Sequence, residues 1–293
     1  MKINRIEIAW KIGLLAFFFL SIAFTIKTFL PQKLALTDAI KSKTVTAQVL
    51  SNGKYSGNSV NMTLINLTNL PIQILVPAGT KYNTEDPGEQ TLIQMEDHLI
   101  VINAKGSYTG KLAAFCSEAT DRCPTENNEM KITVNTDPRF NKLFAYIKDK
   151  SIDKSTFQDA VWAISDNRSV SNIVAENKTA EDFRVYVAVI TGQKNTWFTS
   201  PQQVQVDDAG NFNYETVIIS GKLEFDCTKG KNVHQDIHKE NGEVRFKSDK
   251  TMTAQTGHIT YTFKLSVKGW EKGNYYVNIH DGTNKLAKFE FSI

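Results

Sequence analysis

Ser155-Thr-Phe-Gln-Asp-Ala-Val-Trp-Ala-Ile-Ser-Asp-Asn167 is the stretch that sets the layout of this chain. Phe157, Val161, Trp162 and Ile164 repeat at i, i+4, i+5 and i+7, the period of a buried helix face, and Ser155 with Gln158 three residues on has the form of a capping box. On both sides of this region the apolar period is two. The spacing therefore predicts a mainly β protein with a helical insert.

Upstream, Val45, Ala47 and Val49 alternate with polar residues, as do Val60, Met62 and Leu64, then Ile72, Ile74 and Val76. Turn clusters such as Ser51-Asn-Gly-Lys-Tyr-Ser-Gly57 separate these runs. Short strands at this spacing predict an immunoglobulin-like β-sandwich over residues 40–135. A helical region follows over 136–199. There Asp137 caps with Pro138 at the first helical position, and Phe140, Leu143, Phe144 and Ile147 make an apolar face. Thr179 is expected to cap a further segment whose body, Phe183 to Ile190, fits either a helix or a strand. From about Val204 the period returns to two, which predicts a second, C-terminal immunoglobulin-like sandwich over 200–293.

The amino terminus bears on the compartment. Lys2, Arg5 and Lys11 precede the apolar run Ile12 to Ile26, and Lys27 closes it. Residues 1–30 read as a signal peptide or a signal anchor. Ser21-Ile-Ala23 supplies a small-x-small cleavage site. As an anchor, residues 12–30 give nearly the roughly 20 residues that a bilayer core needs, with Lys27 snorkelling. Positive charge on the leading side keeps that end cytoplasmic and exports the rest. The protein is thus expected in the envelope, anchored in the inner membrane and facing the periplasm, or secreted to the cell surface if cleaved after Ala23.

At 293 residues the chain is long enough for about two cores. Its 34 Lys and Arg against 31 Asp and Glu leave a net charge of +3, too balanced for a nucleic-acid partner. With no phosphate loop, dinucleotide fingerprint, GxSxG elbow or HExxH motif, the sequence offers no cofactor, no metal and no catalytic residue. His234 and His238 sit four apart on a strand pattern, too far for one ion. Exposed aromatics of the last sandwich could stack on a sugar, so a protein or glycan ligand in the envelope is the expected partner besides the membrane.

Three resemblances add to this. Asn66-Leu-Thr-Asn-Leu-Pro-Ile72 with Val76-Pro-Ala-Gly-Thr80 and the later Gln158-Asp-Ala-Val-Trp162 resemble uncharacterised exported bacterial proteins carrying a QxAVW helix, which bring no known activity. Phe157-Gln-Asp-Ala-Val-Trp162 also distantly resembles the TQxAIW motif of bacterial thioester adhesin domains, with Phe157 in place of Thr. That resemblance implies an internal thioester in which Cys116 supplies the sulfur, Gln158 the acyl carbon and Trp162 a shield against water. The plain alternatives are a disulfide between Cys116 and Cys123, with Cys227 left over, and a Gln158 that only caps its helix. Toward the carboxyl end, Gly221-Lys-Leu-Glu-Phe225, Trp270-Glu-Lys-Gly-Asn-Tyr-Tyr-Val-Asn-Ile279 and Lys288-Phe-Glu-Phe-Ser-Ile293 are similar to the immunoglobulin-like domains of flagellar-hook capping proteins and type IX secretion sorting domains. That likeness carries over the fold; the Pro-Asn-Pro entry of the sorting domains is missing, and the sorting role is not carried over.

The function expected from the sequence is a non-enzymatic envelope protein acting as an adhesion or interaction module. The alternatives are a thioester adhesin joined to its target through Cys116 and Gln158, and an envelope hydrolase whose site assembles only in three dimensions.

Overall fold

A computed structural model describes residues 32–208, 210, 212–228, 230–249 and 251–293. The expected signal peptide or anchor, residues 1–30, lies outside the described residues. Among those described, no helix is long and apolar enough to cross a membrane.

The first β region has two sheets. Strands β1 (Gln32–Ala35), β4 (Ile72–Val76) and β7 (His98–Ile102) form one, in the order β1-β4-β7 with β1 parallel to β4. A short helix α1 (Leu36–Lys41) follows β1. The larger sheet has six strands in the order β2-β3-β8-β6-β5-β9, from β2 (Val45–Ser51), β3 (Asn58–Asn66), β5 (Thr80–Asn83), β6 (Leu92–Gln94), β8 (Ser107–Cys116) and β9 (Lys131–Val134). The alternation read from sequence is the alternation of burial. Val45, Val49, Val60, Met62, Leu64, Ile72, Ile74 and Val76 all lie in one apolar core that the two sheets share with α1.

Strand β8 decides where the helices dock. Its first half pairs with β3, and its last residues pair with β6, Leu92 opposite Cys116 and Ile93 opposite Phe115. Successive residues face opposite sides. Ala114 and Cys116 join the sandwich core, while Phe115 and Ile93 join a second core made with the helices α2 (Pro138–Ile147), α3 (Lys154–Ser165) and α4 (Lys178–Thr191). Asp137 caps α2, accepting from Arg139 N at 2.8 Å, with Pro138 first in the helix.

Two helix starts differ from the expected ones. α3 is capped by Asp153 and not by Ser155. Asp153 Oδ1 accepts from Thr156 N at 2.9 Å and from the Ser155 hydroxyl at 2.6 Å. The capping-box pattern therefore begins inside the first turn, and Gln158 is free of any capping duty. α4 is capped by Asn177 and not Thr179, with Asn177 Oδ1 accepting from Ala180 N at 3.0 Å. The Val- and Tyr-rich segment is helical because Phe183, Val187 and Ala188 form a buried i, i+4, i+5 seam and Gly192, at φ 72°, supplies the left-handed stop.

The C-terminal region again layers sheets over a third core. β10 (Phe198–Thr199), β13 (Ile218–Cys227) and β17 (Gly257–Ser266) make one, in the order β10-β13-β17. β14 (Lys231–Lys239), β15 (Val244–Lys247), β18 (Asn274–His280) and β19 (Lys285–Ser292) make the other, in the order β15-β14-β18-β19, with β16 (Met252–Ala254) also on β14. Leu223, Phe225, Val233, Ile237, Val277 and Phe291 fill the space between them. One hairpin stands apart: β11 (Gln202–Val206) with β12 (Phe212–Thr216), paired antiparallel from Gln202 opposite Thr216 to Val206 opposite Phe212. It reaches back over the helices and closes the site described next.

Candidate functional site

The carboxamide of Gln158 is turned into the protein. Gln158 is 4% exposed, and its Nε2 donates to the carbonyl oxygen of Cys116 at 2.7 Å. Its Oε1 is buried without a partner. Of the two places this side chain might have gone, the start of its own helix and the end of β8, it occupies the second.

Two further contacts fasten α3 beside Cys116. The residues that precede the Gln and the Cys meet ring to ring, Phe115 and Phe157 packing edge to face with centroids 4.7 Å apart. At the other end of the helix, Asp166 accepts from Ala119 N at 2.5 Å. The Cys116 N–H itself donates to Tyr55 O at 2.9 Å in the β2–β3 loop. Cys116 is fully buried, and burial pushes its thiol well above its ordinary pKa, with Cys123 and Glu118 adding to the effect. It is therefore a protonated thiol in a dry place, inert toward solvent.

Cys116 and Cys123 are both free thiols, so the expected Cys116–Cys123 bridge is not formed. The loop that carries Cys123 is tied down elsewhere. Glu89 accepts from Thr125 N at 3.0 Å and from Asn128 Nδ2 at 3.1 Å, Arg122 pairs with Asp86 at 2.7 Å, and Gln90 N donates to Arg122 O at 2.9 Å. Burial raises the Cys123 thiol to about 11, with the Glu89 carboxylate contributing.

Trp162 meets the hairpin: its ring lies edge to face with Tyr214 at 5.7 Å. It is 8% exposed and its Nε1 is a buried donor without a partner. Gln158 and Trp162 are one helical turn apart, so an orphan acceptor and an orphan donor share one stretch of helix face. Buried polar atoms left unpaired in this way cost about 1–3 kcal/mol each.

Beside them opens a cleft of about 500 Å³. Tyr55, Gln158, Trp162, Phe212 and Tyr214 line it, and the Tyr55 ring meets that of Phe212 from the hairpin edge to face at 6.5 Å. Arg168 crosses its end, where Asn167, left-handed at φ 53°, turns the chain out of α3. The guanidinium lies 3.8 Å from the Tyr214 ring centroid and 5.0 Å from that of Trp162, and it donates to Gln202 Oε1.

Asp159 also lines the cleft, and burial pushes its carboxyl up to about 7, against the pull of Arg168 and with a further push from Asp153. Below the ordinary carboxylate range Asp159 is protonated in folded and unfolded chains alike. As pH rises the unfolded chain ionises first, and native stability falls until the folded group ionises near 7. Allowing for its part exposure, the cost is roughly 2 kcal/mol above neutrality. Asp159→Asn is accordingly expected to unfold at higher urea than the parent at about pH 8, and at the same urea at about pH 3.

Cys116, Gln158 and Trp162 were legible as candidates, and the fold brings the first two into contact. Asp159, Arg168, Phe212 and Tyr214 were not. Only the alternation around a hairpin pointed to Phe212 and Tyr214, and nothing in the sequence ties that hairpin to the helix.

No model of a known protein family matches the chain, and no curated protein is similar to it. Among solved structures, a beta-glucosidase from Kluyveromyces marxianus aligns at 9% identity and a TM-score of 0.21, over 80% of this chain and 44% of that one. A beta-glucosidase from the same organism in complex with glucose aligns at 10% identity and the same TM-score of 0.21, over 85% of this chain and 49% of that one. The chain spans about half the length of these enzymes or less, and at such a TM-score the likeness carries no argument about fold or activity.

Proposed function

We propose that this chain is an adhesion module of the cell envelope that holds its target covalently, through a thioester between Cys116 Sγ and Gln158 Cδ. The observation that carries the reading is the buried hydrogen bond from the Gln158 carboxamide to the backbone of Cys116. The residue's ordinary employment, capping α3, belongs to Asp153.

The step is a simple exchange. The Cys116 thiol adds to Gln158 Cδ, the C–N bond breaks, and ammonia leaves carrying the thiol proton. The hydrogen bond sets the carboxamide beside the Cys116 backbone, and the thiol, which packs in the sandwich core, has to turn about the end of β8 to reach Gln158 Cδ. Burial suits both ends of the reaction. It keeps the thiol protonated until it reacts, and it keeps water from the bond afterwards, with Trp162 over the site. A thioester oxygen is also a weaker acceptor than an amide oxygen, so the unpaired Gln158 Oε1 costs less after the exchange than before. The two β regions, read as immunoglobulin-like sandwiches, then serve as the rigid body that presents the site. Residues 1–30 export the chain, and residues 12–30 hold it to a membrane if they are not removed.

Intact mass spectrometry of exported protein tests this. The expected mass is that of the processed sequence less one ammonia. Cys116→Ala and Gln158→Ala should each abolish the deficit, and methylamine should add its whole mass to the deficient protein, for a net gain over the sequence of methylamine less ammonia. A wild-type mass with no deficit overturns the proposal and leaves a non-covalent module or a hydrolase. A deficit of two hydrogens overturns it in favour of a disulfide to Cys123.

A further inference from the structure

A thioester that must wait, and then react with one kind of nucleophile, needs a group that makes the nucleophile reactive at the bond and nowhere else. An amine in water near neutral pH is an ammonium ion and carries no free electron pair. The cleft beside Gln158 holds a group of the right kind. Asp159 follows Gln158 directly in α3, its carboxylate lines the cleft, and among the described residues it has neither a hydrogen bond nor an ion pair. The nearest cation, Arg168, is engaged with the Tyr214 ring and Gln202. Four aromatic rings, Tyr55, Trp162, Phe212 and Tyr214, line the cleft beside polar Ser56, Lys154 and Asn172. Such a lining suits a cation on a hydrocarbon stem better than a sugar or a carboxylate, because ring faces attract the charge and the stem displaces water from the rings.

We propose that Asp159 is the proton acceptor for the incoming nucleophile, and that the cleft selects among amines for an unbranched stem. This rests on the thioester reading of Cys116 and Gln158. The ammonium gives one proton to the Asp159 carboxylate, and the freed nitrogen pair attacks Gln158 Cδ. The C–S bond breaks with its electrons on sulfur, and the second nitrogen proton passes to Cys116. The products are an amide at Gln158, a free Cys116 thiol and, once Asp159 returns its proton to solvent, one proton in the medium.

The charged and titratable groups around Asp159 are Asp153 and Lys154 at the start of its helix, Arg168 after it, Tyr214 from the hairpin, Tyr55 from the β2–β3 loop and Cys116 at the end of β8. Of these, Arg168 favours the ionised carboxylate and Asp153 opposes it, while burial sets the balance near neutrality. The carboxylate is thus the base above about pH 7 and is lost as a base below it.

The experiment uses the full chain carrying its ammonia deficit and follows capture of n-butylamine by intact mass across a pH series. The wild-type rate should climb through about pH 7 and then level off, because the carboxylate and the ammonium are both fully present until the amine itself deprotonates near pH 10. Asp159→Asn should keep the deficit, which reports an intact fold and bond, and capture the amine about a hundredfold more slowly near neutrality. Its rate should track free amine alone, rising about tenfold per pH unit with no plateau. Asp159→Glu should restore the plateau in part, and tert-butylamine should react far more slowly than n-butylamine with the wild type. Identical profiles for wild type and Asp159→Asn, with the deficit present in both, overturn the role of Asp159 alone. Equal rates for the two amines overturn the unbranched-stem cleft. A wild type without the deficit overturns this assignment together with the thioester itself.

Discussion

Phe157→Ala should lower the unfolding free energy by about 3–5 kcal/mol, the range for emptying a fully buried aromatic site. Phe157 is 0% exposed and touches Phe115 of β8 at 4.7 Å and Phe144 of α2 at 6.4 Å between centroids. It is the side chain through which sheet and helices share a core. Its loss leaves a void that α2 and β8 cannot both collapse into, since each is fixed by bonds elsewhere. Urea unfolding at neutral pH measures the change, and Phe157→Leu, which keeps most of the volume, should cost about 1 kcal/mol. The substitution also reaches the chemistry. Gln158 is the next residue, and its hold on Cys116 O depends on α3 lying tight against the end of β8. A preparation of Phe157→Ala should therefore show a smaller fraction of chains with the ammonia deficit than Phe157→Leu does, even where both are folded. Equal deficits in the two would mean that the helix position does not control bond formation.

The β alternation of the first half was legible because one face of each strand is buried and the other is not: Val60, Met62 and Leu64 are fully buried, and their neighbours Asn61 and Thr63 are not. The start of α2 was legible for a different reason, since Asp followed by Pro has few other uses. The start of α3 was misread because two residues, Asp153 and Ser155, both have side chains that cap. Which of them does so depends on where the helix must begin to lay Phe157 on Phe115, and that is a tertiary matter. Moving the start back by two residues takes Gln158 out of the capping turn, and its carboxamide then bonds the end of β8. The cleft was the least legible part. Asp159 is followed in space by Arg168 and Tyr214, and the hairpin that brings Tyr214 comes from beyond the helical region altogether. No local pattern marks such a meeting.

Glu89→Ala is expected to cost about 3 kcal/mol and to change which bond Cys116 makes. Glu89 is 7% exposed, and burial alone would push its carboxyl up; the donors of Thr125, Asn128 and Thr84 outweigh that and hold it below the ordinary range. Its contribution to stability is therefore present above the ordinary carboxylate range and is lost as pH falls through the folded value. Removing it strands the Thr125 and Asn128 donors and frees the segment between Cys116 and β9, the segment that carries Cys123. In the native arrangement that segment keeps the two thiols apart while Gln158 lies beside Cys116. Once released, Cys123 competes for the same sulfur, and a sulfur in a disulfide cannot enter a thioester. Under mild oxidation the Glu89→Ala chain should show the two-hydrogen deficit at the expense of the ammonia deficit, and Glu89→Ala with Cys123→Ser should recover the ammonia deficit while staying as unstable as the single variant. If the double variant recovers nothing, the loss came from disorder at Gln158 and not from a rival thiol. The fold would then guard its acyl donor rather than its sulfur, and Glu89 would act on α3 through the loop that Asp166 grips at Ala119.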